Sequence, residues 1–225
     1  MISVVIPALN EETALPRTLA TLREQRASFE IIVVDGGSSD RTCEVAAAEP
    51  RVRLLSSARG RAVQMNAGAR VARGEILLFL HADSVLPPGS IAMLNALEAH
   101  RDCAWGGFRQ RFSGDDWRLR LISRLHNWRC RLSRVLYGDQ AMFVRSALFH
   151  ARGGFPEQPI LEDVALSEKL RAVAPPLLLE EQVVTDARKF LKMGVWRSLA
   201  RVFVIMLCHR LRLPIPMQEF FRAVR

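Results

Sequence analysis

Short apolar runs alternate with amphipathic segments over the first hundred residues. Strands are predicted at residues 2–8, 29–35, 52–57 and 74–84. Helices are predicted between and after them, at residues 10–25, 39–49, 60–73 and 87–100. Several of the strands are apolar at consecutive positions, which is typical of parallel strands that are covered on both faces. The regular alternation predicts an α/β fold with a mostly parallel sheet flanked by helices.

The pattern changes after Ala104. A strand is expected at residues 103–112, a basic and aromatic helix at Trp117–Leu136, and an acidic helix start at Glu162–Asp163. We divide the chain into residues 1–190, with halves at 1–104 and 105–190, and a basic amphipathic helical tail at 191–225. No internal repeat or low-complexity linker interrupts these segments.

Polar side chains follow three of the predicted strands. Asn10 and Glu11 follow the first, Asp35 ends the second, and His81 and Asp83 end the fourth. Residues two positions apart in an extended chain point the same way, so His81 and Asp83 are expected to face one ligand. Because open parallel sheets bind ligands at the carboxyl ends of their strands, the three ends predict one binding site. Asn10 is also the expected N-cap of the first helix.

The composition and the charge of the chain exclude several classes of protein. The chain has 225 residues, of which 49% are hydrophobic, which is enough for a folded core. Four widely separated cysteines without a CxxC pair argue against a disulfide scaffold or zinc knuckle and favour a reducing cytoplasm. The first apolar run lacks the basic flank of a signal peptide and is interpreted as a strand. The net charge of +9 is concentrated in residues 109–134 and 185–225, which suits an anionic partner.

The order and spacing of several motifs resemble those of the GT-A-fold glycosyltransferases of family 2. They are SVVIPALNEE (residues 3–12), IIVVDGGSSDRT (31–42), GRAVQMNAGARVARGEILLFLHADS (60–84) and LEDVALSEKLR (161–171). YGDQAMFVR (137–145) and GGFPEQPILEDVALS (153–167) are similar to a small bacterial subgroup labelled transferase 2 or arsenosugar-biosynthesis-like. The resemblance implies a GT-A, Rossmann-like fold over residues 1–190 and an inverting sugar transfer to an acceptor hydroxyl. It also implies a nucleotide-sugar donor, with a UDP-sugar favoured.

The resemblance also implies which residues hold the donor. The loop after the first strand would contact the nucleotide through Pro7, Ala8 and Leu9, with Glu11 or Glu12. Asp35 would accept a hydrogen bond from the base, and Gly36 would let the backbone approach it closely. Arg59 and Arg61 flank a glycine before a helix, where either guanidinium would suit the diphosphate.

Further residues would carry the chemistry, again by resemblance. Asp83 matches the carboxylate that binds Mn²⁺ or Mg²⁺, and His81 stands where the family usually has aspartate. His81 is therefore either a second metal ligand, a hydrogen-bond donor to the donor substrate, or a structural histidine. Asp163 would be the general base, with Glu162 orienting it or meeting the acceptor. Asp139 and Gln140 would touch the hydroxyls of the donor sugar.

The acceptor and the role of the tail stay open at this stage. The acceptor is a small molecule or a lipid-linked one. Residues 194–213 form an amphipathic segment with an apolar run too short to span a bilayer. This helix lies on a membrane surface, pairs with another subunit, or packs on the catalytic domain. A cytoplasmic protein, peripheral at the inner face of the membrane in the first case, is expected.

Three rival classes fit less well. A nucleotidyltransferase normally has a glycine-rich phosphate loop after the first strand, which the segment PALNEE lacks. A dinucleotide-dependent oxidoreductase would need GxGxxG at the same place. A nucleic-acid-binding module would account for the positive charge but not for the carboxylates at the strand ends, so no nucleic-acid partner is expected.

Overall fold

The computed structural model describes residues 1–99, 103–211 and 213–215. Within them, eight strands form one sheet: β1 (Ile2–Ala8), β2 (Phe29–Asp35), β3 (Val52–Ser56), β4 (Ile76–Phe79), β5 (Ser84–Val85), β6 (Trp105–Phe112), β7 (Phe143–Arg145) and β8 (Leu177–Thr185). The helices are α1 (Leu15–Arg23), α2 (Thr42–Ala47), α3 (Arg61–Val71), α4 (Ser90–Ala99), α5 (Trp117–Ser133), α6 (Ser146–Ala151), α7 (Glu162–Arg171), α8 (Arg188–Met193) and α9 (Val195–Arg210).

The strand order is β3-β2-β1-β4-β7-β6-β8-β5. The first four strands in this order pair in parallel, as the alternation of strands and helices predicts. β7 then pairs antiparallel with both β4 and β6, β6 pairs parallel with β8, and β8 pairs antiparallel with β5. The predicted α/β fold is confirmed, and its sheet is parallel in the first half of the chain and mixed beyond it.

Alternating side chains of the central strands fill two cores, one on each face of the sheet. Ile2, Val4 and Ile6 of β1 pack on one face, where α1 and α4 cover them. Val5 of the same strand packs on the other face, where α3 and α7 lie. Burial of both faces explains why these strands are apolar at consecutive positions instead of alternating with polar residues.

Some local expectations are wrong. Asn10 does not cap α1, which begins five residues later at Leu15. Asn10 instead adopts a left-handed backbone, with φ of 55°, and its Oδ1 accepts a hydrogen bond from the Ser39 amide at 2.9 Å. This contact joins the loop after β1 to the loop after β2. The long helix ends at Ser133, three residues before the predicted end, because Arg134 takes a left-handed conformation. β5 and β8 were not predicted.

A close helix–strand approach sets the position of α3 against the sheet. A Cβ atom on Gly68 would lie 2.4 Å from Val5 Cγ1 and 3.1 Å from Val34 Cγ2. Only glycine therefore lets α3 pack this closely on β1 and β2, and α3 begins with the arginine of the site described below.

Gly68→Ala tests this close approach. Alanine ordinarily stabilises a helix interior relative to glycine by about 1 kcal/mol. Here we expect the opposite sign, a loss of about 1–3 kcal/mol from overpacking, measured by urea unfolding. Arg70→Ala on the exposed side of the same helix is the control, and it should change stability by less than about 0.5 kcal/mol. A Gly68→Ala protein as stable as the parent would contradict the packing argument.

Candidate active site

The carboxyl ends of β1, β2 and β4 lie at one edge of the sheet, tied together by the Gln64 side chain and by backbone contacts. Ala8 and Asp35 are register partners at the last positions of β1 and β2. The Gln64 amide nitrogen donates to the carbonyl oxygens of Ala8 at 2.7 Å and Val34 at 2.8 Å. Since β4 pairs with β1 on its other side, Asp35 and the segment after β4 flank β1 at the same edge.

A cavity of about 710 Å³ opens at this edge. That volume lies within the usual range for small-molecule sites. Eight of the residues singled out from the sequence line it: Pro7, Ala8, Leu9, Glu11, Arg59, Arg61, His81 and Asp83. His81 and Asp83 therefore line the same cavity, but β4 ends at Phe79 and not at residue 84 as predicted, so the segment that carries them is a turn in which Ala82 lines the cavity as well. Glu157–Pro159, which the sequence analysis did not single out, also contribute to the wall.

Arg61, the first residue of α3, joins three parts of the predicted site. Its guanidinium donates to Glu162 Oε1 and, at 3.2 Å, to Asp163 Oδ2. It also lies 3.3 Å from His81 Nε2. Glu162 and Asp163 are both buried, and buried carboxylates are stable as ions only when they are paired. The arginine thus neutralises the acidic start of α7 and links it to the segment after β4.

Asp163 is held in a defined orientation. Its Oδ2 accepts from the Gly138 amide at 2.7 Å, and its Oδ1 accepts from the Val164 amide at 2.7 Å. Burial raises the pKa of the Asp163 carboxyl; Arg61 opposes this rise and the neighbouring Glu162 adds to it. A carboxylate with a raised pKa is a stronger base than an exposed one.

Gly138 allows this hydrogen bond because it has no side chain. A Cβ atom there would lie 2.6 Å from His81 Nε2 and 3.0 Å from Asp163 Oδ2. Gly138 begins a short 3₁₀ turn, Gly138–Gln140, that sits against the site. The sequence pointed to this turn through its polar neighbours, but not to the glycine as the residue that contacts Asp163.

The predicted base-binding residues have clear structural partners. Asp35 is buried and accepts from the Gly37 amide at 2.9 Å and the Ser38 amide at 3.1 Å. Burial opposes its ionisation, but the hydrogen bonds from Ser38 and Gly37 outweigh this and lower the pKa of Asp35. A Cβ on Gly36 would lie 2.9 Å from Gln64 Cδ. Asp35 is beside the cavity and is not among the residues that line it, so base recognition by its carboxylate stays a prediction.

Gln140 and Asp139 belong to the 3₁₀ turn that sits against the site. The Gln140 side chain is fully buried; it donates to the Phe108 carbonyl at 3.2 Å and accepts from the Tyr137 amide at 3.1 Å. These bonds fix the turn, and the expected contact of Gln140 with the donor sugar stays a prediction. Asp139 Oδ1 lies 3.6 Å from His126 Nε2, and neither residue lines the cavity.

The residues at the end of β4 fit a metal ion only in part. No group of three or more His, Cys, Asp or Glu side chains in the described ranges is arranged to hold one. The Nε2 of His81 faces the positive Arg61 guanidinium at 3.3 Å, which disfavours a cation on that nitrogen. Asp83, a hard oxygen donor that lines the cavity, fits Mg²⁺ or Mn²⁺ if the phosphates of a ligand complete the coordination.

Solved structures with a similar fold are glycosyltransferases. A mannosyltransferase from Pyrobaculum calidifontis, solved with GDP-Man and Mn²⁺, matches 99% of this chain and 68% of its own with a TM-score of 0.70 and 21% identity. S. aureus TarS 1–349 in complex with UDP-GlcNAc matches 83% of this chain and 58% of its own, with a TM-score of 0.66 and 21% identity. At these identities the likeness shows a shared GT-A fold.

Sequence comparison gives the family. The model of glycosyl transferase family 2 matches residues 3–152, and the chain belongs to that family. Relatives include an undecaprenyl-phosphate 4-deoxy-4-formamido-L-arabinose transferase from Pectobacterium carotovorum, which is 41% identical over 104 residues, or 41% of this chain. The enzyme of the same name from Pseudomonas paraeruginosa is 37% identical over 138 residues, or 56% of this chain. The matched regions span 32% and 40% of those two relatives. The predicted family and enzyme class are thereby confirmed.

The sequence did not distinguish the roles of Arg59 and Arg61. The variants Arg61→Ala and Arg59→Ala compare what each arginine contributes to stability. Loss of Arg61 leaves two buried carboxylates without their cation, so we expect a loss of about 3–5 kcal/mol in unfolding free energy. Arg59 is exposed at the cavity rim, and its removal should leave stability unchanged within about 0.5 kcal/mol.

Equilibrium urea unfolding monitored by circular dichroism measures both values. Equal stability of the two variants would mean that the Arg61 ion pairs contribute little, against the argument from burial.

Proposed function

We propose that this chain transfers a sugar from a nucleoside-diphosphate sugar to an acceptor hydroxyl, with inversion at the anomeric carbon. The observation that carries the proposal is the cluster of Arg61, Glu162 and Asp163 beside the strand end that bears His81 and Asp83. It puts a buried carboxylate of raised pKa, Asp163, directly behind Arg61, which lines the cavity together with His81 and Asp83. The carboxylate suits a base-catalysed attack, and the arginines and a metal ion on Asp83 would suit an anionic leaving group.

The proposed chemistry assigns one role to each group. Asp163 takes the proton of the acceptor hydroxyl as that oxygen forms its bond to the anomeric carbon. The bond between that carbon and the diphosphate oxygen breaks, and its electron pair leaves with the nucleoside diphosphate. Because attack comes from the side opposite the leaving group, the configuration inverts. The Gly138 amide keeps the Asp163 carboxylate in position for the proton transfer.

The negative charge that develops on the leaving diphosphate is stabilised by positively charged groups. Asp83 would hold a divalent metal ion, which neutralises the diphosphate when bound. Arg59, at the rim, supplies a guanidinium for the same phosphates. The solved structure of the archaeal mannosyltransferase contains Mn²⁺ with its GDP-sugar, which supports a metal-assisted reaction here.

The identity of the base is proposed from the loops after β1 and β2. Pro7, Ala8 and Leu9 line the cavity next to the Asp35 turn, where a nucleoside would lie. A UDP-sugar is the favoured donor, and both UDP- and GDP-sugars are bound by proteins of the same fold. The relatives are named for transfer to undecaprenyl phosphate, which supports a lipid-linked acceptor; the proposed base additionally requires that the accepting group is a hydroxyl and not an ionised phosphate.

A panel of donors tests the substrate class. We expect one nucleotide sugar, a UDP-sugar, to raise the melting temperature only when Mn²⁺ is present. At about 100 times Kd the stabilisation is about 2.7 kcal/mol, or roughly 5–10 °C for a chain of this size. GDP-sugars and the matching nucleoside monophosphate are compared in the same differential scanning fluorimetry plate.

Asp83→Asn should abolish the Mn²⁺-dependent part of this shift, and Asp115→Asn, an exposed carboxylate outside the cavity, should retain it. A shift that is the same with chelator and with Mn²⁺ would remove the metal from the proposal. No shift with any nucleotide sugar would remove the donor class.

The pH dependence of kcat/KM tests the proposed base. Burial raises the pKa of Asp163 and the charge of Glu162 adds to the rise. Glu162→Gln removes that charge, so the pKa should fall and the acidic limb of the profile should move to lower pH. Glu168→Gln, on an exposed position of the same helix, should leave the limb in place.

Asp163→Asn should lower kcat by about 10²–10⁴-fold if the acceptor is a hydroxyl that must lose its proton. A small effect on kcat, with no acidic limb controlled by residue 163, would instead indicate an acceptor that is already ionised, such as a phosphate.

A further inference from the structure

Helix α5 presents one exposed face that is both apolar and basic. Trp117, Leu121, Leu125, Trp128 and Leu132 recur at spacings of three and four residues, so they lie on one side of the helix. Each is between 39% and 65% exposed. The opposite side of α5 faces the core, where Leu119 and Ile122 are buried in a hydrophobic cluster. The exposed residues are therefore a surplus of apolar surface that the fold does not need.

Helix α9 continues this surface. Trp196, Phe203 and Leu207 are exposed at 52%, 67% and 45%, while Val195 and Ile205 on the opposite side are buried. The rings of Trp117 and Trp196 meet edge to face with centroids 6.4 Å apart, so the two exposed faces are joined at this end. We call these joined surfaces of residues 117–132 and 196–207 the α5–α9 face.

The charge on the two helices has a single sign. Residues 117–134 contain six arginines and no acidic residue, and residues 188–211 contain six basic residues and no acidic one. Arg120 and Arg124 are exposed beside the leucines of α5, and Arg197 and Arg210 are exposed on α9. Long basic side chains beside tryptophans and leucines let the charge reach outward while the apolar part is buried in a partner.

We propose that the α5–α9 face docks on the surface of an anionic phospholipid bilayer. The apolar side chains would enter the boundary between headgroups and acyl chains, the tryptophans suit that boundary, and the arginines would meet the lipid phosphates. In the described part of the chain no helix is long and apolar enough to cross a bilayer, so the contact is with the surface. This inference stands on the geometry of the face and does not depend on the proposed function.

Two other occupants fit the face less well. A second copy that used the same face would bring arginines of both chains together across the contact, which is repulsive. A nucleic acid would find arginines for its phosphates, but the exposed leucines offer neither stacking nor hydrogen bonds to bases. An anionic lipid surface matches both features of the face, because its phosphates pair with the arginines and its acyl chains accommodate the apolar side chains.

The face lies directly behind the candidate active site. Ile205 of α9 packs against Leu161, the residue that precedes Glu162 and Asp163. The Tyr137 hydroxyl donates to Met206 Sδ at 2.9 Å, and the next residue, Gly138, donates to Asp163. A protein docked through this face would hold its catalytic carboxylate close to the bilayer, where a lipid-linked acceptor would be found.

Vesicle sedimentation of the full chain tests the inference. We expect binding to phosphatidylcholine vesicles with about one-third phosphatidylglycerol, weakening as salt rises, and little binding to pure phosphatidylcholine. Leu125→Gln with Trp128→Gln should reduce the partition coefficient at least about tenfold. Val173→Gln, an exposed apolar residue outside the face, is the control and should bind as the parent does.

Two double variants with the same net charge distinguish an effect of the α5–α9 face from an effect of the total charge. Arg124→Gln with Arg197→Gln should reduce binding roughly 30-fold, at about 1 kcal/mol for each arginine near the surface. Arg26→Gln with Arg70→Gln lowers the net charge equally on exposed positions of other elements and should change binding less than about twofold. Circular dichroism and melting temperature verify that each variant is folded.

Three outcomes would overturn the inference. The first is a parent protein that does not sediment with anionic vesicles at low salt. The second is an equal loss of binding in the two arginine pairs, which would make the effect one of total charge. The third is a dimer in analytical ultracentrifugation that dissociates in the Leu125/Trp128 variant, without vesicle binding, which would assign the face to self-association.

Discussion

The site depends on the pairing of one partly buried arginine with two buried carboxylates. Glu162 and Asp163 stand side by side in the first turn of α7, where their repulsion and desolvation would be costly without a cation. Arg61 supplies that cation from the first residue of α3 and also reaches His81 after β4. Three elements that are far apart in sequence are thereby fixed relative to one another, and the wall of the cavity follows from their positions.

The first half of the fold was predictable because its strands are buried on both faces. Their apolar runs are consecutive, and α1 between the first two has its buried leucines at helical spacing, so both signals agree there. β8 was not predictable in the same way: residues 177–185 include Glu180 and Glu181 and vary between buried and exposed. β5 is two residues long and exists only through its pairing with β8. Asn10 has a residue type that suits an N-cap, but it bonds across to the loop after β2.

The chemistry at the strand ends could be predicted from position alone, and the contacts between distant segments could not. His81 and Asp83 line one cavity because they follow β4 at the edge of the sheet, although the segment is a turn and not the extended chain that the sequence predicted. Nothing local to Arg59 and Arg61 distinguishes them, and only the acidic start of α7 opposite α3 makes Arg61 the one that is paired. Gln140 has polar groups that suit a sugar, yet in the buried side chain they bond to two backbone groups and to the Cys130 thiol of α5. Residue type specifies what a side chain is able to bind, and tertiary structure decides what it does bind.

Tyr137 contacts both outer helices, α5 and α9. Arg129 of α5 lies 3.9 Å from the centroid of its ring, and its hydroxyl bonds to Met206 of α9. The adjoining peptide ends in the Gly138 amide that orients Asp163. Because Tyr137 and Gly138 are consecutive, the contacts with α5 and α9 and the hydrogen bond to Asp163 share one stretch of backbone. A substitution at Tyr137 is therefore expected to disturb the packing of both outer helices and the orientation of Asp163 together.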